Sequence, residues 1–147
     1  MAQPTEDPRE TGFLETTKDI HIAIVDDDLL FGFMLQDYLI ETGRWNSEIF
    51  SNGVAFLKKY KSKDPRIIIL DYEFAEGPDG LAVLQKIKKV NPSAKVIIVS
   101  GLDDLEKALE MIRNGAVDYF LKFNTTVFNN IVCSINKLHE LEKQKLN

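Results

Sequence analysis

Apolar residues in this chain fall into short runs separated by segments with helical spacing. The runs are residues 20–25 (IHIAIV), 67–70 (IIIL), 96–99 (VIIV) and 119–121 (YFL), with a weaker one at 48–50 (EIF). Ile, Val and aromatic residues dominate them, and several are near-continuous rather than alternating. Strands buried on both faces of a parallel sheet read this way. Leu29, Phe33, Leu35, Tyr38 and Leu39 predict a first helix, ended by Gly43. Val54, Phe56, Leu57 and Tyr60 predict a second, with Asn52 or Ser51 as its cap. Leu81, Leu84, Ile87 and Val90 mark a third, stopped by Asn91-Pro92. Leu105, Ala108, Leu109 and Ile112 mark a fourth, closed by Asn114-Gly115. Val127, Ile131, Ile135 and Leu138 mark a fifth, which runs out into "HELEKQKLN". Strict alternation of strand and helix predicts a doubly wound α/β fold. Right-handed crossovers then place helices on both faces of the sheet.

Outside this pattern lie residues 1–18, rich in Pro, Thr, Glu and Asp, which read as a mobile tail. The 147 residues fit one domain, and 44% hydrophobic with 28% charged residues is ordinary globular composition. A net charge of −5 with interspersed signs argues against direct nucleic-acid binding. The single cysteine, Cys133, excludes an internal disulfide and fits a reducing compartment. One residue past Val132 in the fifth helix, it reads by its type as a small buried hydrophobe. No apolar run approaches the roughly 18–20 residues that span a bilayer. The N-terminus lacks a basic region leading into an apolar one, so no signal peptide is expected. A cytoplasmic domain with no membrane partner is the expectation.

In such a fold, function sits outside the carboxyl ends of the strands. The first strand delivers Asp26, Asp27 and Asp28 there; the third delivers Asp71, the fourth Ser100-Gly101 and the fifth Lys122. Each alone has an ordinary explanation as a cap, turn residue or surface charge. Together they stand at one topological level. Clustered carboxylates need a cation, and a hard ion such as Mg²⁺ takes oxygen ligands. A carboxylate beside it can act as a nucleophile toward a phosphoryl group, whose oxygens a lysine and a hydroxyl help neutralise.

These residues, in this order, resemble the receiver domain of two-component response regulators. The resemblance covers about residues 19–140 and rests on "IAIVDDD", "IIILDYE", "GPDGLAVLQKIK", "VIIVSG" and "GAVDYFLK". It implies a flavodoxin-like five-stranded parallel sheet, order 2-1-3-4-5, with five helices. It also implies that Asp71 accepts a phosphoryl group from a sensor histidine kinase or histidine phosphotransfer protein. Asp26, Asp27, Asp71 and the Glu73 backbone carbonyl would hold Mg²⁺, with Asp27 a direct ligand and Asp26 acting through water. Ser100 and Lys122 would engage the phosphoryl oxygens, and Ser100 with Tyr119 would form the switch. A downstream protein would read the face of helix 4, strand 5 and helix 5, and a phosphorylation-dependent dimer belongs to the same expectation. The protein would catalyse its own phosphorylation and dephosphorylation without turning over an external substrate. No output domain is expected, because only about seven residues follow position 140.

Two positions depart from the family pattern. Phe123 stands where a proline with a cis bond usually follows the lysine. Glu73 is acidic where other types are common, and is expected to alter the lifetime of phospho-Asp71. Two rival readings remain. One is a receiver-like interaction module without phosphotransfer. The other is a haloacid-dehalogenase-like phosphatase, whose Asp-x-Asp motif Asp26 and Asp28 satisfy. Against the phosphatase stand the absence of room for a capping domain and the lysine ending strand 5. Trp45 reads as packing, and His21 and His139 lie away from the strand ends.

Overall fold

Side chains along a strand alternate between two faces, so a run such as IIIL must be covered from both sides. The computed structural model describes residues 20–60 and 66–145, and it shows how that covering is arranged. In chain order the elements are β1 (His21–Val25), α1 (Leu29–Gly43), β2 (Asn46–Phe50), α2 (Gly53–Lys59) and β3 (Ile67–Asp71). They continue as α3 (Gly80–Val90), β4 (Lys95–Ser100), α4 (Leu105–Arg113), β5 (Asp118–Leu121) and α5 (Val127–Lys145). The five strands form one sheet in the order β2-β1-β3-β4-β5, and every neighbouring pair is parallel. The expected tail, residues 1–18, lies outside the described residues, as do residues 146–147.

Two apolar layers follow from the alternation. Ile22, Ile24, Ile67, Ile69, Ile97 and Val99 point to the side covered by α1 and α5. Ala23, Val25, Ile68, Leu70, Val96 and Ile98 point to the side covered by α2, α3 and α4. Trp45 belongs to the first layer and is buried, a packing residue. Asp28, Asn52, Asp79 and Asp104 cap α1 to α4, each side chain accepting a backbone N–H of the following turn.

Three details differ from the sequence reading. The first concerns Cys133, which is exposed rather than buried. α5 turns Val127, Ile131 and Ile135 to the sheet, and a residue two positions past Ile131 falls about 200° around the helix. The second is the buried stripe of α1, which is Gly32, Leu35 and Leu39, so Leu29 and Phe33 face solvent. The third is the end of α1. There the left-handed residue is Arg44 (φ 56°), while Gly43 is required by contact: a Cβ on it would stand 2.4 Å from the Trp45 ring.

Candidate functional site

Sheet register brings the chemistry together. Val25 pairs with Leu70, so one residue further Asp26 and Asp71 come level. Ser100 pairs with Leu121, and the Lys122 N–H donates to the Ser100 carbonyl at 2.9 Å. The chain leaves β1 and β3 toward opposite faces, which opens a crevice between their ends. That crevice is a cleft of about 720 Å³, lined by Asp27, Asp71, Glu73, Lys122 and Phe123 among others.

Lys122 Nζ lies 2.7 Å from Asp26 Oδ2 and 3.2 Å from Asp71 Oδ2. Asp26 and Asp71 are only 2% and 4% exposed. Their other oxygens accept backbone N–H groups: Asp26 Oδ1 from Asp28 at 2.8 Å, and Asp71 Oδ1 from Glu73 at 3.3 Å. Asp27 is exposed, and its Oδ2 accepts the Ala75 N–H at 2.9 Å, tying the β1–α1 turn to the β3–α3 loop. The start of α3 presses on the acceptor strand. The Gly80 N–H donates to the Tyr72 carbonyl at 2.7 Å, and a Cβ at Gly80 would stand 2.5 Å from the Asp71 carbonyl oxygen. Only glycine fits there.

Burial dominates the electrostatics. It pushes the Asp71 carboxyl up to about 7, the Asp26 charge pushes the same way, and Lys122 opposes both. Burial also raises Asp26, against the hydrogen bond and charge of Lys122. For Lys122, burial pulls downward. The hydrogen bond and charge of Asp26, with those of Asp71, outweigh it and hold the ammonium above its ordinary value. The ammonium also lies 4.9 Å from the centre of the Phe31 ring, a cation–π contact.

Asp26, Asp27 and Asp71 each place a carboxylate oxygen within 4.8 Å of the others. An all-oxygen donor set carrying formal negative charge suits a hard divalent cation such as Mg²⁺. The donor chemistry fits.

Other expected site residues take different places. Asp28 turns away as the α1 cap, its Oδ1 accepting the Phe31 N–H at 3.1 Å. This removes it from the Asp-x-Asp role the phosphatase reading gave it. Ser100 is fully buried, and its Oγ accepts the Leu102 N–H at 3.0 Å. Tyr119 donates its hydroxyl to the Leu102 carbonyl at 2.9 Å. Burial raises the Tyr119 phenol, and a hydrogen bond from Ser100 opposes that rise. Ser100 and Tyr119 thus hold the same residue from both sides. His21 opens β1 at the opposite edge of the sheet, and His139 lies near Arg66 at that same edge. Sequence reading missed Phe31 and Ala75. Helical spacing from Asp28 could have pointed to Phe31; a backbone amide such as that of Ala75 leaves no residue-type signal.

Many known proteins match this chain. Residues 22–128 match the family model described as the response regulator receiver domain. The chemotaxis protein CheY of Thermotoga maritima is 31% identical over 101 residues, covering 69% of this chain and 83% of that protein. The transcriptional regulatory protein ZraR of Escherichia coli K12 is 31% identical over 122 residues, 83% of this chain. The chain spans about a quarter of ZraR's length, 27%. A CheY-like receiver domain protein from Methanospirillum hungatei JF-1 superposes with a TM-score of 0.74 at 27% identity, covering 85% of this chain and 98% of that one. Its five parallel strands in the order 2-1-3-4-5, its strand-end carboxylates and this match over most of its length place the chain in the response regulator receiver domain family.

Proposed function

We propose that Asp71 accepts a phosphoryl group from a phosphohistidine on a sensor histidine kinase or phosphotransfer protein, in a Mg²⁺-dependent reaction. One observation carries the reading. Asp71 ends β3 inside the cleft, 3.2 Å from Lys122 and with a carboxylate oxygen within 4.8 Å of oxygens of Asp26 and Asp27. Asp26, Asp27 and Asp71, with the Glu73 carbonyl, are the groups that would hold the cation. The bound cation supplies positive charge against the phosphoryl oxygens. An Asp71 carboxylate oxygen forms a bond to phosphorus as the P–N bond to the donor histidine breaks, and the electron pair stays on the imidazole nitrogen. Lys122 pairs with the charge that accumulates on the phosphoryl oxygens. The Ser100 hydroxyl, released from its present partners, can donate to one of those oxygens. That release frees Tyr119 and Leu102 to rearrange, which is how occupancy of the site reaches the surface.

The surface reached is the α4–β5–α5 face. α4 keeps Leu105, Leu109 and Ile112 exposed, spaced four and three residues apart along one side, with Leu105 74% exposed. Such a row suits a protein partner or, after phosphorylation, a second copy. In this reading the functional unit spans residues 19–140. No helix among the described residues is long and apolar enough to cross a membrane.

Incubation with Mg²⁺ and acetyl phosphate should add one phosphate to the intact mass, acid-stable and alkali-labile. Asp71→Asn should abolish it. Failure of the wild type to label with acetyl phosphate or phosphoimidazole would favour the interaction module. Sustained hydrolysis of phosphate esters would favour the phosphatase.

A further inference from the structure

Phe123 is the most exposed large apolar residue among the described ones, at 84%, and it stands at the mouth of the Asp71 cleft beside Lys122. An aromatic ring left in water at a site lined by charges gives nothing to the packing of the free protein. Its position is nonetheless defined. A Cβ added at Gly101 would lie 3.2 Å from Phe123 Cε2, so the ring rests against the open side of that glycine. Gly101 also lines the cleft. A side chain there would crowd the Cε2–Cζ edge of the ring, and its absence leaves the ring room at the mouth of the cleft.

We infer that Phe123 is a specificity-determining residue that stacks on the leaving imidazole of the phosphodonor, selecting phosphoimidazole groups over acyl phosphates. The inference rests on the reading of Asp71 as acceptor and names the donor class for that site. As the Asp71 oxygen bonds to phosphorus, the P–N bond breaks and its electron pair remains on the ring nitrogen. Imidazole, already protonated on its other nitrogen, departs neutral. The leaving ring is planar and aromatic, and an offset or edge contact with Phe123 would hold it during departure. The leaving acetate of acetyl phosphate offers no aromatic face.

The test compares second-order rate constants for phosphorylation by phosphoimidazole and by acetyl phosphate, with Mg²⁺, in the full chain. The exposure of Phe123 makes its truncation harmless to the core. In Phe123→Ala and Phe123→Leu the ratio of the phosphoimidazole to the acetyl phosphate constant should fall about 3- to 10-fold. Phe123→Trp should keep the wild-type ratio. An unchanged ratio in Phe123→Ala, or a wild-type ratio in Phe123→Leu, would overturn the inference, since bulk or loop shape would then suffice. A wild type that labels with neither donor would overturn the acceptor reading, and this inference with it. Labelling by acetyl phosphate with an unchanged ratio leaves the acceptor reading standing and removes only the role of Phe123.

Discussion

The two ends of the sheet carry the same kind of charge pair in opposite settings. At the carboxyl end, Lys122 bridges Asp26 and Asp71, with side-chain exposures of 14%, 3% and 5%. At the amino end, Arg66 bonds Glu142 of α5 at 3.1 Å with both side chains half open to solvent, beside a groove of about 520 Å³. The distances are alike, but the surroundings are not. Water screens the Arg66 pair, so its net contribution is small. The Lys122 triad is buried, so each charge depends on the others, and a change to any one is felt by all. The triad is a poor way to build stability, since one cation faces two carboxylates. It stores an excess of negative charge that an incoming cation or a change of protonation can relieve.

The sharpest way to break the contrast is Lys122→Met, which strands two buried carboxylates. It should destabilise the metal-free protein by roughly 2–3 kcal/mol at pH 8 in urea unfolding, limited because one carboxyl can retain a proton. Asp71→Asn should act the other way and stabilise by roughly 1–2 kcal/mol, because Lys122 keeps Asp26 and one buried charge is gone. The same variant tests a pH dependence. Asp71 titrates near 7 in the folded protein against an ordinary 3.8, so between about pH 4 and 7 the native state holds a proton that the unfolded chain has lost. Stability in metal-free buffer therefore falls as pH rises through that window and levels off above it. Asp71→Asn should flatten that slope. A slope of equal size in the variant would assign it elsewhere.

A smaller effect concerns the cation. Mg²⁺ at millimolar concentration should raise the melting temperature of the wild type by a few degrees, through binding to the native state. Asp27→Ala should lose most of that rise while melting close to the wild type without Mg²⁺, since Asp27 is exposed and, among the described residues, holds only the Ala75 amide. At the amino end, Arg66→Ala should change stability by less than about 0.5 kcal/mol. A larger loss would mean that the open pair matters as much as the buried one.

Much of the carboxyl end was legible in the sequence, because strand ends are marked by residue type. A run of Ile and Leu stopping at Asp71, or of Val and Ile stopping at Ser100, states both the strand and what it delivers. Helix faces were less legible. α4 has the apolar spacing of a buried helix, yet among its residues only Met111 is buried. Spacing says that apolar residues share a side; it does not say whether the sheet or solvent receives them. Cys133 was misplaced for a related reason: residue type was read without its angle on α5. The Ala75 amide and the seat of Phe123 on Gly101 depend on loops meeting across the fold, which no local pattern encodes.

The closure at Gly80 has a consequence for engineering. Its N–H fastens the end of segment 72–79 to the Tyr72 carbonyl, and Ala75 is tied to Asp27. Residues 76–79 lie between the two fastenings, with Glu76 and Gly77 at the exposed tip. Lengthening a loop costs little once its ends are fixed, about 0.6 kcal/mol for each doubling. A short reporter peptide spliced between Glu76 and Gly77 would therefore ride at the rim of the cleft, leaving the strand that carries Asp71 where it is.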